Sequence, residues 1–150
     1  MIVSYDVDGV LAEKPPASDK KWGKMNGRER NERKQFLNDW YRNAIPLIQP
    51  KEEKFYAISA RKAEPNIYNI TMSWLEKHYP GRVIDLYLLN GSRTVENVAE
   101  FKASTVVSLN IARHYEDNKK VLRAMSKRIP PSVELRFWEK GMEDPIPFKV

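Results

Sequence analysis

Apolar residues recur along this chain in two periods, and the changes of period mark its elements. Ile2 to Tyr5 is a short, β-prone apolar run followed at once by acids and a glycine, which predicts a buried strand ending in a tight loop. Prolines, glycines and lysines dominate from Glu13 to Gly27, so a loop is expected that turns helical near Arg28. Phe36, Leu37, Trp40, Tyr41 and Ala44 then fall at near-helical spacing until Pro46 and Pro50 stop the pattern. Lys54 to Ile58 reads as a second strand with a helix close behind it. There Ile67, Ile70, Thr71, Trp74 and Leu75 make one apolar stripe, which Pro80-Gly81 ends. The third strand is Val83 to Leu89, followed by an Asn90-Gly91-Ser92 turn. Val95, Val98, Ala99 and Phe101 predict a short helical stretch leading to Lys102. Ala103 to Leu109 also reads as helical, against the preference of its β-branched Thr105, Val106 and Val107. A strand over Ala112 to Tyr115 and a helix over Lys119 to Lys127 come next. After Pro130-Pro131, Val133 to Trp138 alternates apolar with charged residues, as an edge strand does.

Strands separated by helices imply an α/β protein with a mostly parallel central sheet covered by helices on both faces. At 150 residues, without internal repeat or linker, residues 1–150 are expected to form one domain, with 13–50 a small loop-and-helix insertion. No apolar run approaches the ~20 residues that span a bilayer, and Met1 to Tyr5 lacks the pattern of a signal peptide, so no membrane partner is expected. The chain has no cysteine, which removes disulfides, thiolate nucleophiles and Cys-containing zinc sites and fits a cytoplasmic protein. His78 and His114 are too far apart in sequence to suggest a His-rich metal site and are read as structural; any metal is expected on oxygen ligands.

Charge narrows the partners. The formal net charge of +6 favours an anionic ligand, whether nucleic acid, nucleotide or another phosphorylated compound. Basic residues crowd between Lys20 and Arg42, interleaved with Trp22, Phe36, Trp40 and Tyr41; this is either a surface facing substrate or nucleic acid, or the solvated side of an amphipathic helix.

Open α/β sheets collect functional groups at the carboxyl ends of their strands. Four such places carry reactive residues here: Asp6-Val7-Asp8-Gly9-Val10 after the first strand, Ser59-Ala60-Arg61 after the second, Lys102 beyond the third, and Glu116-Asp117 after the fourth. Asp-x-Asp-Gly also begins calcium loops, but an EF-hand needs further ligands and a Glu at its twelfth position, whereas this segment continues Val10-Leu11-Ala12. In that order and spacing, the four groups resemble the signatures of the haloacid dehalogenase (HAD) superfamily of phosphohydrolases, over residues 2 to about 118. The resemblance implies a Rossmann-like HAD fold with minimal or no cap, and hydrolysis of phosphomonoesters through an aspartyl-phosphate.

The residue types suit that chemistry. Asp6 is a competent nucleophile toward a phosphorus held in line, and Asp8 can protonate the leaving oxygen and later take a proton from water. Ser59, the amide of Ala60, Lys102 and Arg61 can meet the phosphoryl oxygens. Neighbouring carboxylates repel, and a divalent cation relieves that repulsion. The resemblance implies Mg2+ on Asp6, the Asp8 carbonyl and Asp117, with Glu116 a ligand through water or an orienting neighbour.

A closer similarity is to the phosphatase domain of polynucleotide kinase/phosphatase enzymes. It rests on Asp6 to Ala12, Ser59-Ala60-Arg61, and Thr71-x-x-Trp74-Leu75 followed by Leu86-Tyr87-Leu88. Ala60 stands where that group has Gly, Val10 where it has Thr, and Glu116-Asp117-Asn118 where it has Asp-Asp-Arg; there is no P-loop. The similarity implies nucleic-acid 3′-phosphate ends as substrate. A nucleotide or small-metabolite phosphatase is the alternative enzyme, and a basic nucleic-acid-binding module without catalysis is the alternative of another class.

Overall fold

The computed structural model describes residues 1–150. In chain order its elements are β1 (Val3–Tyr5), α1 (Gly27–Asn43), β2 (Phe55–Lys62), α2 (Pro65–His78), β3 (Val83–Leu89), α3 (Val95–Ser108), β4 (Arg113–Glu116), α4 (Lys119–Ser126), β5 (Glu134–Phe137) and β6 (Ile146–Pro147), with a 3-10 turn at Trp22–Lys24 before α1. The six strands form one sheet in the order β3-β2-β1-β4-β5-β6. β1 to β5 run parallel and β6 pairs antiparallel to β5. The chain builds outward from β1 through β2 to β3, then returns to lay β4 on the other side of β1. This reversal opens a crevice at the carboxyl ends of β1 and β4, where α/β sheets of this kind bind their ligands.

Period-two alternation sends side chains to opposite faces, and each face has its own core. On one, Val3, Tyr5, Phe55, Ala57, Leu86 and Tyr115 pack with Trp74 and Leu75 of α2. On the other, Ile58, Leu89, Leu135 and Phe137 pack with Val98, Ala99, Ala103 and Val106 of α3 and Val121, Leu122 and Met125 of α4. Helices therefore cover both faces, as the sequence pattern implies. No helix is long and apolar enough to cross a membrane.

Local chemistry sets the helix starts that border the crevice. α1 opens on a capping box: the Asn26 side chain accepts from the Glu29 N–H at 2.8 Å and Glu29 accepts from the Asn26 N–H at 3.2 Å. Asn118 caps α4 by accepting from the N–H groups of Lys120 and Val121, which fixes the chain directly after Asp117.

Two elements, β2 and β5, depart from the sequence pattern. β2 runs on through Ser59, Ala60 and Arg61 instead of ending at Ile58, and its ladder with β3 is irregular there: Ser59 pairs with Leu88 and Lys62 with Leu89, so Ala60 and Arg61 form a bulge. α3 is one continuous helix over the two stretches read as helical, and burying Thr105 and Val106 outweighs their β-branched preference. β5 is not an edge, since Ile146–Pro147 pairs along its outer side; a two-residue strand ending in proline has no periodicity to read.

Candidate active site

The segment that leaves β1 folds back on itself. The Gly9 N–H donates to the Ala12 carbonyl at 2.7 Å and the Ala12 N–H to the Val7 carbonyl at 2.9 Å, while the Asp6 N–H donates to the Tyr115 carbonyl of β4. Gly9 sits at φ +91, and a Cβ built there would lie 2.1 Å from Asp117 Oδ2. The glycine thus serves twice: it makes the left-handed turn, and it leaves room for the Asp117 carboxylate to approach.

Asp6, Glu116 and Asp117 come together at the β1/β4 crevice, each offering a carboxylate oxygen within 4.8 Å of the others. Lys102, 2% exposed and reaching in from the middle of α3, donates to Asp6 Oδ1 at 2.9 Å and to Glu116 Oε1 at 2.5 Å. Behind Glu116 lies His114, whose Nε2 is 3.3 Å from the same carboxylate oxygen and whose Nδ1 is 2.7 Å from Ser4 Oγ. Burial holds the His114 pKa down, and the neutral ring satisfies both contacts by donating from Nε2 and accepting at Nδ1. Lys14, on the loop after β1, reaches Asp117 Oδ2 at 2.8 Å.

The electrostatics of this cluster are uneven. Burial first, and then the neighbouring Glu116, push the Asp6 carboxyl well above the usual carboxylate range, against the pull of Lys102. Glu116 goes the other way: burial opposes its charge, but Lys102 and His114 outweigh burial and hold it well below the ordinary value. Asp117 is raised by burial and by Glu116, with Lys14 opposing. Three carboxylates thus share one buried ammonium and one half-exposed one, and the shortage of positive charge falls most heavily on Asp6. All the offered donors are oxygens, the set that hard divalent cations prefer. The Asp8 backbone carbonyl accepts no backbone hydrogen bond.

Asp8 is held by a different partner. Arg61, 1% exposed, donates from Nε to Asp8 Oδ2 at 3.0 Å and from Nη2 to Asp8 Oδ1 at 2.7 Å; its Nη1 donates to Thr71 Oγ1 of α2, and its guanidinium lies 3.7 Å over the Tyr41 ring of α1. Such a fork fixes a carboxylate in one orientation. The sequence pattern offers Arg61 to a phosphoryl oxygen, whereas here its guanidinium is engaged chiefly as the anchor of Asp8. Ser59 is buried, and its Oγ accepts from the Arg61 N–H at 3.0 Å. Of the expected phosphate contacts Ala60, Arg61 and Lys102 line the cavity and Ser59 does not.

These groups line an open cavity of about 610 Å³ whose far wall is the segment from Lys14 through α1, including Lys20, Lys21, Trp22 and Arg33. All four sequence segments singled out as reactive therefore converge. Lys14, His114, Tyr41 and Thr71 were not singled out for the site. His114 had a readable signal, since it stands two residues before Glu116 on one strand face; the other three depend on tertiary packing alone. Comparison with protein-family models, with curated proteins and with solved structures finds no match in any of the three.

Proposed function

We propose that this chain is a Mg2+-dependent phosphomonoester hydrolase of the HAD type, with Asp6 as nucleophile and Asp8 as general acid and base. The observation that carries the reading is the cluster of Asp6, Glu116 and Asp117 at the β1/β4 crevice, short of positive charge and beside a carboxylate clamped by a buried arginine. A fold alone implies no activity; this donor set is what supports the reading.

A bound divalent cation supplies the positive charge that keeps Asp6 ionised and offsets the charge of a phosphoryl group. Asp6, Asp117 and the Asp8 carbonyl would hold it, with Glu116 ion-paired to Lys102 beside them. Asp6 attacks phosphorus, the bond from phosphorus to the leaving oxygen breaks, and Asp8 gives that oxygen a proton. A water molecule then attacks the phosphorus of the aspartyl-phosphate, Asp8 takes its proton, and phosphate leaves with Asp6 restored. Lys102 keeps Glu116 charged and steadies Asp6. Arg61 orients Asp8, and because both Asp8 carboxylate oxygens accept from the guanidinium, one of these two contacts opens when Asp8 carries the proton it gives. The 13–50 segment contributes one helix to the wall of an open cavity, which favours large phosphorylated substrates such as the 3′-phosphate ends of nucleic acids.

Hydrolysis of p-nitrophenyl phosphate tests this reading. Turnover is expected to require Mg2+, to stop with EDTA, and to fall by about 10³-fold or more in Asp6→Asn, the usual scale for removing a nucleophile. Undiminished turnover in Asp6→Asn, or none from the wild-type chain on any phosphomonoester, contradicts it.

A further inference from the structure

A second cavity, of about 420 Å³, opens beside the first, between α1, the start of α2 and the loop after β3. Trp22, Leu37, Tyr41, Ala60 and Arg93 line both, so the two are one continuous depression with the reactive carboxylates at one end only. The volume lies within the roughly 300–1,000 Å³ typical of small-ligand sites.

The chemistry of its walls is specific. Trp22, at the junction of the two cavities, is 46% exposed, an unusual position for so large an apolar ring. Arg30 and Lys34 lie over it at 5.6 and 6.0 Å from the ring centroid. Asn38 of α1 and Asn66 of α2 also line the second cavity, and neither side-chain amide is used in a hydrogen bond within the protein. Lys34 and Arg93 on the walls have no carboxylate partner, and neither does Lys21 in the first cavity. A flat π-face, amides that can both donate and accept, and uncompensated cations describe a ligand that is planar, hydrogen-bonding at its edge and followed by further negative charge.

We infer that the second cavity is the leaving-group subsite and receives the base of the nucleotide that carries the phosphate, with Trp22 as its stacking platform and Asn38 and Asn66 at its edge. This rests on the phosphohydrolase reading for the reaction but not for the binding. A phosphotyrosine peptide also presents a ring next to a phosphate, yet it lacks the repeating backbone charge that Lys21, Lys34 and Arg93 suit.

Fluorescence anisotropy on the Asp6→Asn chain with Mg2+ tests it, using a labelled 3′-phosphorylated oligothymidylate and the same strand with an abasic 3′-terminal residue. The base-bearing strand is expected to bind on the order of ten-fold tighter, a preference that Trp22→Ala removes and Trp22→Phe largely keeps. Equal affinity for the two strands, or a preference that survives Trp22→Ala, overturns the subsite. Tighter binding of a phosphotyrosine peptide than of the oligonucleotide overturns the nucleic-acid assignment. The two readings fail separately: base preference without turnover of any phosphomonoester sinks the hydrolase and leaves the subsite standing, and turnover without base preference does the reverse.

Discussion

β1 and β4 lie side by side, with Ser4 opposite His114 and Tyr5 opposite Tyr115, and the two faces of this one strand pair carry two polar networks of opposite character, one buried and one partly buried. Toward α3, His114 leads to Glu116, Lys102 and Asp6, and three carboxylates compete for too few cations. On the other face the Tyr5 and Tyr115 rings stack at 4.2 Å and both hydroxyls donate to a single carboxylate, that of Glu52. Arg113 extends this second network by donating to Tyr115 and to Glu134. One buried donor there, the Trp138 indole N–H, lacks a protein partner and belongs to a residue bordering a cavity of about 290 Å³, room enough for a water.

The difference separates structure from function on neighbouring residues. Neutral hydroxyls can satisfy one carboxylate completely, and burial with Glu52 only raises the tyrosine pKa values. A set of clustered carboxylates with a single buried lysine has no internal solution. Its excess charge is stable only with a proton or a cation, and that is what marks the face toward α3 as the candidate active site.

The largest expected break in this contrast is Lys102→Met. It leaves Asp6 and Glu116 facing each other without compensation, and urea denaturation at pH 8 is expected to show a loss of about 3–5 kcal/mol together with loss of phosphatase activity. A loss below about 1 kcal/mol means that the ammonium does not hold the cluster together. On the opposite face Glu52→Gln removes one charge-assisted partner from two hydroxyls; about 1–2 kcal/mol of stability should go while kcat stays within about two-fold. A drop in kcat comparable to that of a site variant denies the separation of the two networks.

A smaller effect concerns pH. A carboxyl whose folded pKa lies above its unfolded value makes the native state bind more protons, so stability is greatest below the unfolded pKa and falls as pH rises through the window toward the folded one. For Asp6 that window begins near pH 4. Metal-free wild-type protein should therefore lose stability from about pH 4 upward relative to Asp6→Asn, and added Mg2+ should restore it. Parallel stability curves for the two chains contradict the assignment of excess charge to Asp6.

Much of this was legible beforehand, for physical reasons. Strand-helix alternation gave the parallel sheet, and acids at strand ends gave the crevice, because both follow from local periodicity. The fate of Arg61 was not legible. An arginine after an apolar strand at the crevice reads as a contact for a phosphoryl group, and only the arrival of Asp8, Thr71 and Tyr41 from three other segments satisfies it as a buried residue. The same limit hid Lys14, whose partner lies about a hundred residues away in sequence. Sequence order revealed which groups meet, but not which of them are already paired with each other.

The most direct measurement is chemical trapping of the covalent intermediate. Wild-type chain mixed with Mg2+ and a phosphomonoester, quenched within one turnover and reduced with borohydride, should yield homoserine at position 6 in the peptide mass spectrum, and no modification at Asp8, Glu116 or Asp117. Burst-phase phosphate chemistry with position 6 unmodified, or with the adduct on another carboxylate, contradicts the account.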